Sequence, residues 1–125
     1  MVVCDLALSR VLVMNDANFP WLILVPRRPD VSEIFELGAE RALLLEEVSQ
    51  ASRALKEVTR CDKLNVAAIG NVVAQLHVHI VARRKDDPLW PKPVWGAAPP
   101  RPYDPAALER FVTVIRARLG SSPSL

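Results

Sequence analysis

An α+β fold built around an antiparallel sheet is what this sequence predicts, and three observations carry the prediction. Short segments rich in β-branched and aliphatic residues come in pairs, as "RVLVMND" and "WLILVPRR" do on either side of the turn-like "DANFP". Two longer segments repeat apolar residues at steps of three and four. Two hairpins or more with two substantial helices make an antiparallel sheet covered by helices.

In chain order, the first hairpin joins two strands that are apolar on both faces, which predicts a central position covered on each side by helices or a partner subunit. "RPDVSEIFEL" carries Asp30 three residues before Glu33, a capping-box arrangement opening a short helix that Gly38 could close. A long amphipathic helix is expected from about Ala39 to Val58. Leu44, Val48, Ala51, Leu55 and Val58 form its apolar stripe, with Glu47, Gln50, Arg53 and Glu57 on other faces.

"KLNVAAIG" and "QLHVHIVARR" predict a second hairpin, joined through "NVVA" with Gly70 at the turn. A proline-rich arm then spans 85–103, where proline excludes both regular helix and central strand. Asp104 as N-cap and Pro105 at the first helical position open a last helix, with Leu108, Phe111, Val112, Ile115 and Leu119 as its stripe. One domain over 1–119 is expected, followed by a frayed tail over 120–125.

Half of the 125 residues are apolar and about a quarter charged, a balance that excludes both disorder and a membrane bundle. Apolar runs such as "WLILV" are too short to span a bilayer, and "MVVCDLALSR" lacks the apolar stretch of a signal peptide, so the expected place is the cytoplasm. Cys4 and Cys61 are a lone pair without CxxC spacing, which predicts reduced thiols and neither a disulfide framework nor a zinc knuckle. A net charge of +2 falls short of a nucleic-acid binder. Its clusters, Arg27 with Arg28 and Arg83 with Arg84 and Lys85, either attract phosphates or form a solvated rim.

The chain has only two histidines, in "QLHVHIVARR". Alternation along a strand puts Gln75, His77 and His79 on one face, expected to be the wet one, and Leu76, Val78 and Ile80 on the core face. Such a row of hydrogen-bonding groups suits a phosphate. No other histidine, and no carboxylate of this strand, completes a metal site, so no metal is expected.

"GNVVAQLHVHIVARR" resembles the signature of the histidine triad (HIT) superfamily, with glutamine in place of the first histidine. "VLVMNDANFPWLILVPRR", the long helix and the second hairpin follow in the order that superfamily uses, and "WPKPVWG" is similar to the segment after the motif in a bacterial branch. The resemblance implies a HIT-like fold: about five antiparallel strands, one long central helix and a C-terminal helix. It implies a homodimer that binds a purine nucleotide or nucleotide conjugate, with no obligatory cofactor, no nucleic-acid partner and no membrane.

By the same resemblance, His77 is the nucleophile that attacks the α-phosphorus and carries a nucleotidyl group until water releases it. Imidazole suits that role, being a good nucleophile and a fair leaving group near neutral pH. His79 helps hold the phosphate, and its backbone carbonyl is the group expected to set the nucleophile's tautomer. Gln75 retains hydrogen bonding at the first position without charge. Asn71 matches a phosphate contact, or serves the turn; Asn15, with Asp16 as its neighbour alternative, matches a ribose contact, or ends a strand.

Trp21 stands where many members have a histidine, and is read as core or as base-pocket lining. Trp90 and Trp95 pack on the sheet, across a dimer seam, or over the base. The implied activity is hydrolysis or transfer at the α-phosphate of a nucleoside phosphoramidate, an adenylylated compound or a dinucleoside polyphosphate. A catalytically weak nucleotide-binding or regulatory module is the alternative.

Overall fold

The first hairpin forms as β2 (Ser9–Val13) and β3 (Trp21–Pro26) in the computed structural model, which describes residues 1–120. The strands pair antiparallel from Ser9 opposite Pro26 to Val13 opposite Leu22. The second hairpin is β4 (Lys63–Ala67) with β5 (Val78–Arg83), and β5 lies against β3. A short β1 (Val2–Asp5) pairs with β2, completing an antiparallel sheet of order β1-β2-β3-β5-β4. Four residues are too few to show a period, which is why β1 has no distinct signal in the sequence.

Alternation along these strands builds two different faces. Val11, Val13, Leu22, Leu24, Ile80 and Ala82 point to one side and are sealed by Ala51, Ala54 and Leu55 of α1 (Arg41–Thr59) and by Val112, Ile115 and Leu119 of α2 (Pro105–Gly120). Burying each large side chain there contributes about 1.5–3 kcal/mol. Both helices lie on this one side. Helices thus cover one of the two faces, and Leu12, Ile23 and Val25 on the other remain half-buried.

The long helix starts at Arg41, two residues later than expected, because a 3-10 segment (Ile34–Glu40) with a positive φ of 61° at Gly38 precedes it. The capping box belongs to Glu33 and Glu36, not to Asp30, whose own φ is 63°. Glu36 reaches back to the backbone N–H of Glu33 at 2.8 Å. Arg60 ends α1 in the left-handed region, its N–H bonded to the Lys56 carbonyl.

Glu47 is also corrected. It lies three residues after Leu44 and four before Ala51, so it shares the buried stripe, and only 2% of it is exposed. Its carboxylate accepts the backbone N–H groups of Leu8 at 2.7 Å and Ser9 at 2.9 Å, where the chain enters β2. Paired in this way, a carboxylate can occupy an apolar stripe.

Among the clustered arginines, Arg83 is 1% exposed and is neither a rim charge nor a phosphate lure. Its guanidinium is bonded to Asp87 at 2.7 and 3.1 Å and to Asn65 at 2.9 Å, between the rings of Phe19 and Trp90. Arg28 pairs with Glu40, Arg27 caps the carbonyls of Leu6, Ala7 and Leu8, and Arg84 bonds the Thr59 carbonyl.

The Arg83–Asp87 bond aims the proline-rich arm back across the second face. Val94 packs with Phe19, Trp21 and Val81, and Trp95 lies against that cluster. Farther on, Asp104 accepts the N–H of Ala107 at 3.3 Å and Pro105 begins α2, as expected. The tail over 120–125 fares differently: Gly120 closes α2, and 121–125 lie outside the described residues.

Candidate functional site

The two histidines, two residues apart, have unlike surroundings. β5 begins only at Val78, so Gln75, Leu76 and His77 form an entry to the strand and not its first turn of alternation. His77 is half-buried there, with Nδ1 2.7 Å from the backbone carbonyl of Gln75. A carbonyl can only accept, so Nδ1 carries a proton, and in the neutral ring the lone pair is on Nε2. The group that sets this tautomer is thus the Gln75 carbonyl and not that of His79.

His79 lies within β5, opposite Ile23 of β3 and Ala67 of β4. It is 6% exposed, not on the wet side, because the sheet face beneath it is roofed by two tryptophans. The rings of Trp21 and Trp95 stand edge-on to it at centroid distances of 5.7 and 5.6 Å. Trp21 Nε1–H donates to His79 Nδ1 at 3.0 Å. An indole N–H is a donor only, so in neutral His79 the proton sits on Nε2. Burial, and then the nearby His77, push its pKa down to about 4, so the ring is uncharged at neutral pH.

Gln75 uses its amide nitrogen on the backbone carbonyls of Pro26 at 3.3 Å and Arg28 at 3.2 Å. Those two bonds tie the entry to β5 to the end of β3, and in doing so hold the Gln75 carbonyl under His77. The glutamine side chain therefore positions the carbonyl that holds His77.

His77 lies at the junction of two cavities. One, of about 320 Å³, runs along the second sheet face and is lined by Leu12, Met14, Ile23, Val25, Gln75 and both histidines, among others. The other, of about 270 Å³, lies between the 3-10 segment and the 68–70 turn, where Ser32, Glu33, Phe35 and Gly70 face His77. Apolar walls with a few converging polar groups describe a small-molecule site.

The structure brings Gln75, His77 and His79 together and leaves two expected residues farther out. Asn71 is exposed next to Gly70, whose φ is 67°. Asn15 is exposed and its Oδ1 accepts the backbone N–H of Tyr103 at 2.8 Å, while buried Asp16 binds the N–H groups of Asn18 and Arg101. Among the described residues no three His, Cys, Asp or Glu side chains come together as metal ligands. Trp21 has a role that periodicity could not reveal, since its partner lies 58 residues away. Leu12, Met14, Ile23 and Val25 were legible as strand residues but not as walls of a groove.

A family model described as "HIT domain" matches residues 1–86. A histidine triad protein of Bradyrhizobium japonicum is 53% identical, with 95% of this chain and 90% of that one covered and a TM-score of 0.92. Histidine triad proteins of Sinorhizobium meliloti and Marinobacter aquaeolei are 41% and 42% identical, each with a TM-score of 0.92. They cover 94% and 96% of this chain, and 88% of their own chains is covered. A histidine triad nucleotide-binding protein of Sulfolobus tokodaii, 18% identical with a TM-score of 0.72, covers 95% of this chain and 83% of its own. No curated protein matches the chain. With the family model matched over most of its length and close structural relatives at up to 53% identity, the chain belongs to the histidine triad family.

Proposed function

We propose that this protein is a phosphohydrolase or nucleotidyl transferase that cleaves at the α-phosphate of a nucleotide conjugate through a nucleotidyl-His77 intermediate. The observation that carries the reading is the 2.7 Å bond from His77 Nδ1 to the Gln75 carbonyl, which leaves the Nε2 lone pair free beside two cavities. A purine nucleoside suits the apolar walls of Leu12, Met14, Ile23 and Val25. His79 offers Nε2–H to a phosphate oxygen, Asn71 lies within the neighbouring turn, and Asn15 keeps its amide N–H₂ for a ribose hydroxyl.

The chemistry needs no protein-bound metal in this reading: neutral N–H donors hold the phosphate and imidazole supplies the electron pair. Candidate substrates are a nucleoside phosphoramidate, an adenylylated compound and a dinucleoside polyphosphate. Quenching a reaction with radiolabelled substrate in alkali, where phosphohistidine bonds persist, should leave label on wild type and none on His77→Ala. Equal AMP release by His77→Ala would remove the covalent mechanism.

A catalytically weak nucleotide-binding module is the second reading, favoured by Gln75 spending its amide donors on backbone carbonyls. Tight AMP binding by calorimetry without adduct or turnover would select it. We also propose a homodimer. Leu45 of α1 and Val66 of the edge strand β4 are 68% and 50% exposed beside an apolar hollow that both line, a surface suited to a second copy. Leu45→Glu should then yield a monomer in sedimentation. Both cysteines are free, which fits the cytoplasm we assign.

A further inference from the structure

We infer that Trp21 is a positioning residue for nucleotidyl transfer: by donating its indole N–H to His79 Nδ1 it keeps that ring a neutral donor, with its one N–H on Nε2, even when a phosphate lies beside it. This rests on the nucleotidyl-transfer reading above and gives Trp21 a part in it.

An anion next to an imidazole normally draws a second proton onto the ring. In His79 that proton has one place to go, Nδ1, and the Trp21 N–H is aimed there at 3.0 Å. An indole N–H donates and never accepts, so a protonated Nδ1 would meet it donor to donor. Nor can Trp21 readily withdraw. It is buried with Phe19, Val81 and Val94, its backbone carbonyl accepts the Met14 N–H at 3.0 Å, and its ring stands edge-on to Trp95 at 5.9 Å. Trp95 also packs edge-on to His79, but its own indole N–H has no partner among the described residues. The two tryptophans share the roof, and Trp21 alone holds the ring nitrogen. Around His79, β3 presents Trp21 and Ile23, β4 presents Ala67 and the arm presents Trp95, none of which titrates. On β5 the titratable neighbour is His77, and Arg83, farther along the same face, is held by Asp87.

The closeness of the two rings, 4.9 Å between centroids, gives this neutrality a chemical consequence. When His77 Nε2 gives its electron pair to phosphorus, a P–N bond forms and the bond to the leaving group breaks with its own pair. The His77 ring, still carrying its Nδ1 proton on the Gln75 carbonyl, becomes a cation. A cationic His79 would oppose that charge and would hold the phosphate as an ion pair before the step. A neutral His79 holds the phosphate oxygen without resisting the charge that develops on His77.

Long-range nitrogen–proton NMR correlations of the histidine rings, together with kinetics on an AMP phosphoramidate, test this on the wild-type chain, Trp21→Phe and Trp95→Phe. At pH 6 the wild-type His79 ring is expected to show a protonated Nε2 and a bare Nδ1, both alone and with AMP bound. Trp95→Phe should keep that pattern, whereas Trp21→Phe with AMP should show both nitrogens protonated. Trp21→Phe is also expected to lower kcat about tenfold at pH 6, with KM unchanged or lower, and to approach wild type at pH 8; a mere loss of packing would raise KM at every pH. A doubly protonated His79 in wild type bound to AMP overturns the inference whether or not Trp21→Phe folds. So does a folded Trp21→Phe with the wild-type pattern and kcat, or the same change in Trp95→Phe as in Trp21→Phe. In each of these cases turnover that depends on His77 leaves the nucleotidyl-transfer reading standing. If AMP does not bind, or His77→Ala releases AMP as fast as wild type, the reading and the inference fall together.

Discussion

The two faces of one sheet are made from the same strands and held by different forces. On the helix side, Leu22, Leu24 and Ile80 are fully buried among aliphatic groups of α1 and α2. On the groove side, Trp21, Ile23 and His79 alternate with them, and the most buried members are held by a directed hydrogen bond and edge-on rings. Non-directional burial makes the first face a support that only volume can disturb. Directional bonds make the second a site in which the tautomer of each ring is set by a neighbour.

Four changes break or sharpen that contrast. The largest is His77→Ala, expected to lower kcat/KM by ~10³-fold or more while leaving the thermal midpoint near that of wild type; a turnover assay paired with calorimetry checks both. Next, Ile80→Ala should cost about 2–5 kcal/mol by denaturant unfolding, whereas Ile23→Ala, its half-buried counterpart facing the groove, should cost clearly less and weaken nucleotide binding instead. Equal losses of stability would show that the faces do not differ as described. Glu47→Ala strands two buried N–H groups, Leu8 and Ser9, and is expected to destabilise by about 1–3 kcal/mol without affecting AMP binding.

A change of pH tests the groove side through His79. A folded pKa of about 4 for His79, against about 6.5 in an unfolded chain, means that the unfolded state binds the extra proton over that interval. Stability is then greatest above about 6.5 and declines as pH falls toward about 4, with no further change from this group below it. The ring signals of His79 should titrate near 4 by NMR. A midpoint near the ordinary value would mean that the Trp21 roof does not hold the ring neutral.

Most of the framework was legible. The hairpin of β2 and β3, the α1 stripe and the Asp104–Pro105 start of α2 follow from local periodicity and capping, which involve residues within a few positions of one another. What escaped was non-local. Glu47 looks like any polar helix residue until the backbone N–H groups of Leu8 and Ser9 arrive opposite it. Arg83 reads as one of a basic cluster until Phe19, Asn65, Asp87 and Trp90 enclose it. His79 was placed on the wet face because alternation gives a side chain's direction and says nothing of what covers that side.

Residue types and their order along the chain were sufficient for the first hairpin, the helix stripes and the presence of an imidazole pair, since each depends on chemistry repeated over short distances. Folding alone decided which nitrogen of each ring holds its proton. That outcome depends on the Gln75 carbonyl being turned under His77 and on Trp21, from another strand, reaching His79. Such bonds have angstrom tolerances, and they exist only once β3 and β5 lie side by side.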